Sequence, residues 1–420
     1  MYHTLATEHL FAVAAPGIAP CTALELRQLS LLPAGGAAAR GIETGGVAFS
    51  GDLAAIYRAN LHLRTANRVL VRLGEFRAVG FGELRKLAAR LPWERYLPAG
   101  QTLALRVTCH KSRLYHSDAV AERIAAAVGD RMGVQPALVK FDEEQDDESQ
   151  RAEPPQLVIV RLLYDRCTIS VDSSGSLLHR RGYRLATAKA PLRETLAAAM
   201  LLASGWAARR EAGEAAPPLL DPFCGSGTIA IEAALLALGI APGLATGEAR
   251  RFAFMHWPGY QAELWQAAVA DAAAHQQRQL DMAAPRLRIR ATDRDAGAVT
   301  MAQANAARAG VAEQIQFACR PVSALQPPES EREPGWVVTN PPYGLRASAG
   351  QDIRNLYAQF GKVLAAVCPG WHVAILCNDR RLLGQVGLKL DTSLALVNGG
   401  LPVMLGRGTV GGTVGGAVSE

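Results

Sequence analysis

Residues 339–346, TNPPYGLR, set two prolines between an Asn and a Tyr, directly after the apolar run GWVVT. That grouping suits an aromatic amine. An exocyclic amino group on a base is a poor nucleophile, because its lone pair is delocalised into the ring. Attack on a methyl donor needs acceptors that hold the amine hydrogens while the nitrogen pyramidalises. The side-chain oxygen of Asn340 and the carbonyl of Pro341 are acceptors of that kind. Pro341 and Pro342 have no N–H, so the segment cannot continue a sheet ladder, and their rings stiffen the peptide. Tyr343 offers a flat face for an extruded base. Taken alone, the same letters also describe a proline-rich turn ending a strand.

Two more segments share the design of a strand ending in a polar residue. In LLDPFCGSGTIAIEAA (219–234) an apolar strand ends at Asp221, Gly225-Ser226-Gly227 follow, and a helix begins near Thr228. Open α/β sheets bind ligands outside the carboxyl ends of their strands, where glycine lets backbone come close. The loop is neither GxGxxG nor a P-loop with its Lys, so it suits a cofactor without phosphate. A plain tight turn is the competing reading. In IRATDRDAGAV (289–299) a strand ends at Asp293, where a carboxylate can accept both hydroxyls of a ribose. Asp295, at the mouth of the next helix, reads as its N-cap. Asp293 lies further from Gly227 than the roughly 20 residues of the simplest nucleotide-binding unit. The excess, residues 240–285, reads as an insertion with its own helix.

These strand ends need a sheet behind them. The second half alternates PPLLDPF, RLRIRATD, IQFACR, GWVVTNPP and WHVAILCN with Ala-rich helical stretches, the pattern of a parallel sheet covered on both faces. The first 175 residues read as a smaller α+β arrangement. Strands are expected at 9–15, 45–51, 101–110 and 137–142, with a hairpin over 156–175 joined at YDR. Helices are expected at 19–29, from an Asp52 cap through Val71, and from a Ser117-Asp118 cap to Gly133.

With 420 residues and 49% apolar residues, the chain is long enough for two or three domains with real cores. Residues 142–155, DEEQDDESQRAEPP, carry seven acids and read as a solvated loop that repels RNA. GRGTVGGTVGGAVSE at the end reads as a flexible tail. The seven Cys show no CxxC or zinc spacing, so no metal site is implied and reduced thiols in the cytoplasm are expected. No signal peptide or membrane span is expected. The net charge of +6 suits a polyanionic partner without identifying one. Two stretches concentrate cations without acids: Arg106, Lys111 and Arg113 in RVTCHKSRLYH, and Arg180, Arg181 and Arg184 in RRGYRLATAKAPLR. Both could contact phosphates, and a fold-stabilising helix face is the alternative.

The three strand-end segments together resemble the class I S-adenosylmethionine-dependent methyltransferases, in the branch that uses Asn-Pro-Pro-Tyr on amino nitrogens. HRRGYRLATAKAPLRETLAAAMLLASGW (179–206) narrows the likeness to the RlmL-like enzymes, which methylate guanine N2 in 23S ribosomal RNA. VTCHKSRLYHSDAVAERI (107–124) resembles their THUMP domain, an RNA-binding module. NLHLRTANRVLVRL, IAPGL and KLDTSLALVNGGLPVML fit as well.

The resemblance implies a ferredoxin-like region over 1–60, a THUMP domain over 61–172, a doubly wound Rossmann-like methyltransferase domain over 173–410 and a flexible tail over 411–420. It implies S-adenosylmethionine held by Tyr183, Asp221, Phe223, Gly225, Gly227, Thr228, Asp293 and Val322, with Asn340, Pro341, Pro342 and Tyr343 as the catalytic loop. Ribosomal RNA is the implied partner and transfer RNA the alternative, with no membrane and no obligate protein partner. One position departs from the pattern: Pro321 stands where an acidic residue usually bonds the adenine amine. A DNA adenine-N6 or a release-factor glutamine methyltransferase shares the Asn-Pro-Pro-Tyr loop, but neither explains the THUMP-like half. From another class, an RNA-binding protein with a decayed site finds support only in Pro321.

Overall fold

The computed structural model describes residues 7–33, 41–140, 154–185, 192–207, 216–282, 287–328, 334–343 and 353–411. The chain divides into two compact units drawn from interleaved segments. One comprises 1–13, 23–178 and 250–269; the other comprises 14–22, 179–249 and 270–420.

The first unit holds an eight-stranded sheet. Its strands are β1 (Glu8–Ala14), β2 (Ile42–Glu43), β3 (Gly46–Gly51), β4 (Ala66–Arg77), β5 (Leu103–His110), β6 (Leu138–Val139), β7 (Gln156–Leu163) and β8 (Arg166–Asp172). They lie in the order β2-β3-β1-β4-β8-β7-β5-β6. Along β5 burial alternates from Leu105 onward, with Arg106, Thr108 and His110 exposed and the residues between them half-buried. That period of two marks a sheet with one solvated face. The segment around 250–269 adds aromatic mass to this unit, with Phe254 stacked on Tyr57 at 4.5 Å and Trp257 donating to Gln156 Oε1 at 2.8 Å.

The second unit holds a seven-stranded sheet of β9 (Leu219–Asp221), β10 (Ile289–Asp293), β11 (Ile315–Cys319), β12 (Trp336–Thr339), β13 (His372–Cys377), β14 (Asp391–Asn398) and β15 (Leu401–Thr409). Its order is β11-β10-β9-β12-β13-β15-β14. The first five strands of that order run parallel, and β15 and β14 close the edge antiparallel. The strands β9 and β12 are buried along their whole length, as expected of a sheet covered on both faces. The helix Thr228–Ala237 is apolar almost all round and nearly every residue in it is buried. The domain is therefore Rossmann-like, as the sequence pattern suggests.

Several local expectations change. The helix capped by Asp52, whose side chain accepts from Ala55 N at 2.9 Å, stops at His62 rather than Val71. Residues 66–77 form β4 instead, because RVLVRLGEFR alternates and pairs with β8 over Leu70–Arg77. Ser117 is the first helical residue and His116 occupies the cap without a side-chain bond, while Gly133 ends that helix at φ +75° as expected. Of 137–140, Leu138–Val139 form a strand, and 141–142 lie outside the described residues. The YDR hairpin is confirmed, with Tyr164 and Asp165 at its tip. The expected insertion carries the helix Ala262–Met282. The start of the supposed flexible tail, Gly406–Thr409, belongs to β15 and pairs with β13. The acids of 142–153 and the tail 412–420 lie outside the described residues.

Candidate active site

The strand β9 sits between β10 and β12, so the carboxyl ends of these three neighbours bring Asp221, Asp293 and Asn340 to one edge of the sheet. Asp221 is the central one and is 1% exposed. Its Oδ1 accepts from Thr339 Oγ1 at 2.7 Å and from Phe223 N at 3.3 Å. One buried carboxyl thus ties the start of the glycine loop to the residue just before Asn340. Burial pushes its pKa up to about 7, with the neighbouring Asp293 charge adding to the rise.

The loop beyond Asp221 is shaped by backbone. Gly225 and Gly227 have φ of +51° and +83°. A Cβ on Gly227 would stand 2.9 Å from Ala302 Cβ, so this corner packs directly on the helix Ala296–Arg308. From that helix, the buried Asn305 donates Nδ2 to Ser226 O at 3.0 Å. Sequence reasoning did not single out Asn305. Its only signal is an amide inside an Ala-rich helix. Cys224 is buried, and its thiol is pushed well above the ordinary range by that burial and by Asp221 and Asp293, which suits a packing residue rather than a nucleophile.

Asp293 is half-buried. Its Oδ2 accepts from Gly225 N and its Oδ1 from Asp295 N, both at 3.0 Å. Each oxygen keeps a second lone pair for a ligand hydroxyl. Asp295 caps its helix through Gly297 N at 2.8 Å and Ala298 N at 3.2 Å, as its position suggested. Phe223 packs edge-on to Phe360 at 5.2 Å, against the apolar cluster that contains Val322. Pro321 is exposed and precedes the short 3-10 turn Val322–Ala324.

On the Asn-Pro-Pro-Tyr loop, Asn340 Oδ1 is buried and has no hydrogen-bond partner among the described residues. An unpaired buried amide oxygen costs free energy, about 1–3 kcal/mol, unless something fills it. The loop around it is braced from both sides. Tyr357 donates its hydroxyl to Pro342 O at 3.3 Å, and Asn398 at the end of β14 donates Nδ2 to Tyr343 Oη at 2.8 Å. Burial raises the Tyr343 pKa above its ordinary value, so the phenol is neutral at pH 7.

Three expected site residues take inward positions. Tyr183 is fully buried, donates to Glu232 Oε1 at 3.1 Å, and offers its carbonyl to Arg308 Nε at 2.7 Å. It braces the helix that follows the glycine loop. Arg181 faces Glu232 at 3.5 Å and Arg184 pairs with Glu194 at 2.6 Å, with side chains only 1% and 9% exposed. These guanidiniums are committed to buried carboxylates, because an inward cation needs a partner, and are not presented to phosphate. Arg180 is half-exposed.

In the other unit, Arg106, Lys111 and Arg113 are all exposed, as expected of phosphate contacts. The register shows more. Arg77 pairs with Arg166, which pairs with Leu163 and so with His110; Arg161 lies one row down, and Arg106 one row further. Residues paired across a sheet share a face. One open face therefore carries Arg77, Arg106, His110, Arg161 and Arg166, with Glu75 the acid among them. The signal was present as arginines at alternate strand positions, but it is invisible until the strands are paired. Among the described residues, no group of three or more His, Cys, Asp or Glu is placed to hold a metal, and no helix is long and apolar enough to cross a membrane.

Three family models match this chain. Residues 181–404 match the family described as RMKL-like, methyltransferase domain. Residues 9–70 match the RlmL ferredoxin-like domain and 79–172 the THUMP domain. A ribosomal RNA large subunit methyltransferase K/L of Syntrophotalea carbinolica is 35% identical over 94% of this chain and 52% of its own length. The chain thus spans about half the length of that relative. A putative RNA methyltransferase of Synechocystis is 33% identical over 95% of this chain and 96% of its own length. Among solved structures, SMU.472, a putative methyltransferase complexed with SAH, has a TM-score of 0.77 at 29% identity, covering 96% of this chain and 97% of that one. A predicted N6-adenine-specific DNA methylase from Listeria monocytogenes has a TM-score of 0.77 at 32% identity, covering 95% of this chain and 96% of that one.

Proposed function

This chain belongs to the RMKL-like methyltransferase family, and from that premise we propose that it transfers a methyl group from S-adenosylmethionine to the exocyclic N2 amine of a guanine in 23S ribosomal RNA, in the cytoplasm. The observation that carries this reading is the buried Oδ1 of Asn340, unpartnered among the described residues, at the strand end next to the glycine loop. An aromatic amine supplies the hydrogen that this oxygen lacks.

The residues present fit the cofactor. The corner at Gly225 and Gly227 leaves no side chain in the path of a ligand, and Asp293 keeps acceptor capacity for ribose hydroxyls. Phe223 and Val322 supply apolar surface for the adenine, taking over where Pro321 replaces a carboxylate. When bound, S-adenosylmethionine supplies a methyl group on a sulfonium, electrophilic enough for one in-line displacement. The chain's own task is then to hold the amine. Asn340 Oδ1 and the Pro341 carbonyl accept its hydrogens and turn the nitrogen lone pair out of conjugation. Tyr343, fixed through Asn398, stacks on the base. The Asp221–Thr339 bond sets the spacing between the two loops. Positioning of this kind accounts for up to roughly 7–11 kcal/mol of a barrier.

The ferredoxin-like and THUMP matches favour RNA over DNA as the substrate. The acceptor loop by itself serves adenine N6 equally well, so the product must be identified. The test is methylation of large-subunit ribosomal RNA by the purified chain, followed by nucleoside mass spectrometry. N2-methylguanosine is expected. N6-methyladenosine would sink the guanine assignment, and cofactor binding without any transfer would sink the enzyme. Asn340→Ala should lower turnover about 10²–10³-fold, by analogy with loss of one preorganised polar group, while cofactor affinity stays within a few-fold.

A further inference from the structure

The hairpin between β7 and β8 turns through Tyr164 and Asp165, with φ of +50° and +62°. A two-residue turn with both central residues left-handed favours Asn-Gly or Asp-Gly, and a bulky aromatic there is strained. Packing does not repay the strain, because Tyr164 is 64% exposed. Lys111, on the adjacent loop, is left-handed as well, at φ +48°. Among the described residues, these are three of only four non-glycine positions with positive φ, and they meet at one point. Such strain persists where the surroundings over-determine it, and it clusters at ligand-binding positions.

The surroundings here do over-determine it. Arg113 N donates to Asp165 Oδ1 at 2.8 Å, Asp165 N to Ser112 Oγ at 3.0 Å, and Ala78 N to Asp165 O at 2.9 Å. Tyr164 N donates to His110 O at 3.2 Å. Lys111 Nζ donates to Tyr164 Oη at 3.1 Å and lies 5.4 Å from the ring centroid. The result is a rigid, solvent-facing aromatic plate rimmed by cations: Lys111, Arg113, and Arg77, whose side chain is 75% exposed. It stands at the edge of the basic sheet face.

Resting on the RNA-substrate reading above, we propose that Tyr164 is a stacking platform for an unpaired RNA base, with Lys111, Arg113 and Arg77 taking the flanking phosphates. Every base offers a π-face, and cations around the plate track the backbone on either side. An acidic peptide would use the cations but leaves the exposed, strained ring without purpose. Because the basic face continues from this point along β8, β7 and β5, a single strand stacked on Tyr164 meets further positive charge in one direction.

Tyr164→Asn separates this from a structural role, since Asn suits a left-handed turn better than Tyr. The probe is a short fluorescein-labelled single-stranded RNA of mixed sequence, titrated by anisotropy against the full chain at fixed salt, with a blunt duplex of equal length as control. Tyr164→Asn should bind the single strand about 5- to 100-fold more weakly. It should barely change duplex binding or cofactor affinity, and its melting temperature should match or exceed that of the parent chain. Tyr164→Phe, which keeps the ring, should bind like the parent. Unchanged single-strand binding by Tyr164→Asn overturns the proposal, as does an equal loss in Tyr164→Phe or on the duplex. If the parent chain methylates RNA while Tyr164→Asn binds normally, only the platform falls. If the parent chain binds no RNA, the substrate reading falls with it.

Discussion

The two sheets of this protein hold their functional groups in opposite ways. In the seven-stranded sheet the side chains that matter stand at the carboxyl ends of buried parallel strands. Asp221 and Thr339 are at most 1% exposed and bonded to each other, and Asn340 is fixed at the end of the same strand as Thr339. In the eight-stranded sheet the cations stand along an open face, in exposed ion pairs such as Arg77 with Asp165 and Arg166 with Glu75. The difference is one of dielectric and of freedom. A buried polar group in a crowded corner has one useful geometry, so losing it is close to all-or-none. An exposed arginine contributes a small, screened increment that adds to its neighbours'.

That contrast can be broken or sharpened by experiment. The largest effect is expected at Gly227→Val. At φ +83°, with a Cβ placed 2.9 Å from Ala302 Cβ, any side chain distorts this glycine corner. Cofactor affinity should drop by about 100-fold or more, with a loss of a few kcal/mol in stability. Normal binding by calorimetry would mean the corner is not where the cofactor sits.

Next comes Asp221→Asn, read as stability against pH. The folded carboxyl titrates near 7 against an ordinary value of 3.8. Below the ordinary value both states are protonated and the carboxyl's full contribution is present. As pH rises toward 7 the unfolded chain ionises first, so that contribution falls, at up to roughly 1.4 kcal/mol per pH unit, and levels off above. The Asn variant keeps an oxygen for Thr339 and Phe223 but does not titrate. Its melting temperature should therefore gain on the parent's between pH 4 and 7, and a constant difference would contradict a buried, titrating Asp221.

A smaller change is expected from Tyr343→Phe, which removes the Asn398 bond but leaves the ring. One neutral hydrogen bond is worth about 0.5–1.5 kcal/mol, so turnover should fall a few-fold, and a loss as large as that of Asn340→Ala would make the phenol itself a participant. The smallest single effect belongs to Arg106→Ala on the open face. RNA affinity should weaken by about 2- to 5-fold, with the salt dependence reduced by about one ion. A salt-independent loss would point away from phosphate contact.

How much could be read beforehand depends on which kind of site is in question. The strand-end positions of Asn340, the glycine corner and Asp293, and the Asp295 cap, were all legible, because each is set by a short run of letters. The end of the Asp52 helix was misplaced by nine residues, since RVLVRLGEFR has apolar content compatible with either element until β8 pairs with it. Arg181 and Arg184 read as surface cations and are internal, because their carboxylate partners, Glu232 and Glu194, are supplied by helices elsewhere in the chain. Asn305 and Asn398 carried no signal for the same reason: each acts on a loop 79 or 55 residues away.

By itself, then, the sequence determined which groups are available: an acceptor-bearing Asn-Pro-Pro-Tyr corner, a glycine loop without a P-loop Lys and a surplus of cations. Those properties belong to residue types and to the backbone of a few adjacent positions. Only the tertiary structure decided which cations face solvent, which carboxyl is shielded enough to titrate near neutrality, and that a strained tyrosine stands rigid beside a basic face. Burial and strand register are set by contacts between residues far apart in the chain, and no local pattern encodes them.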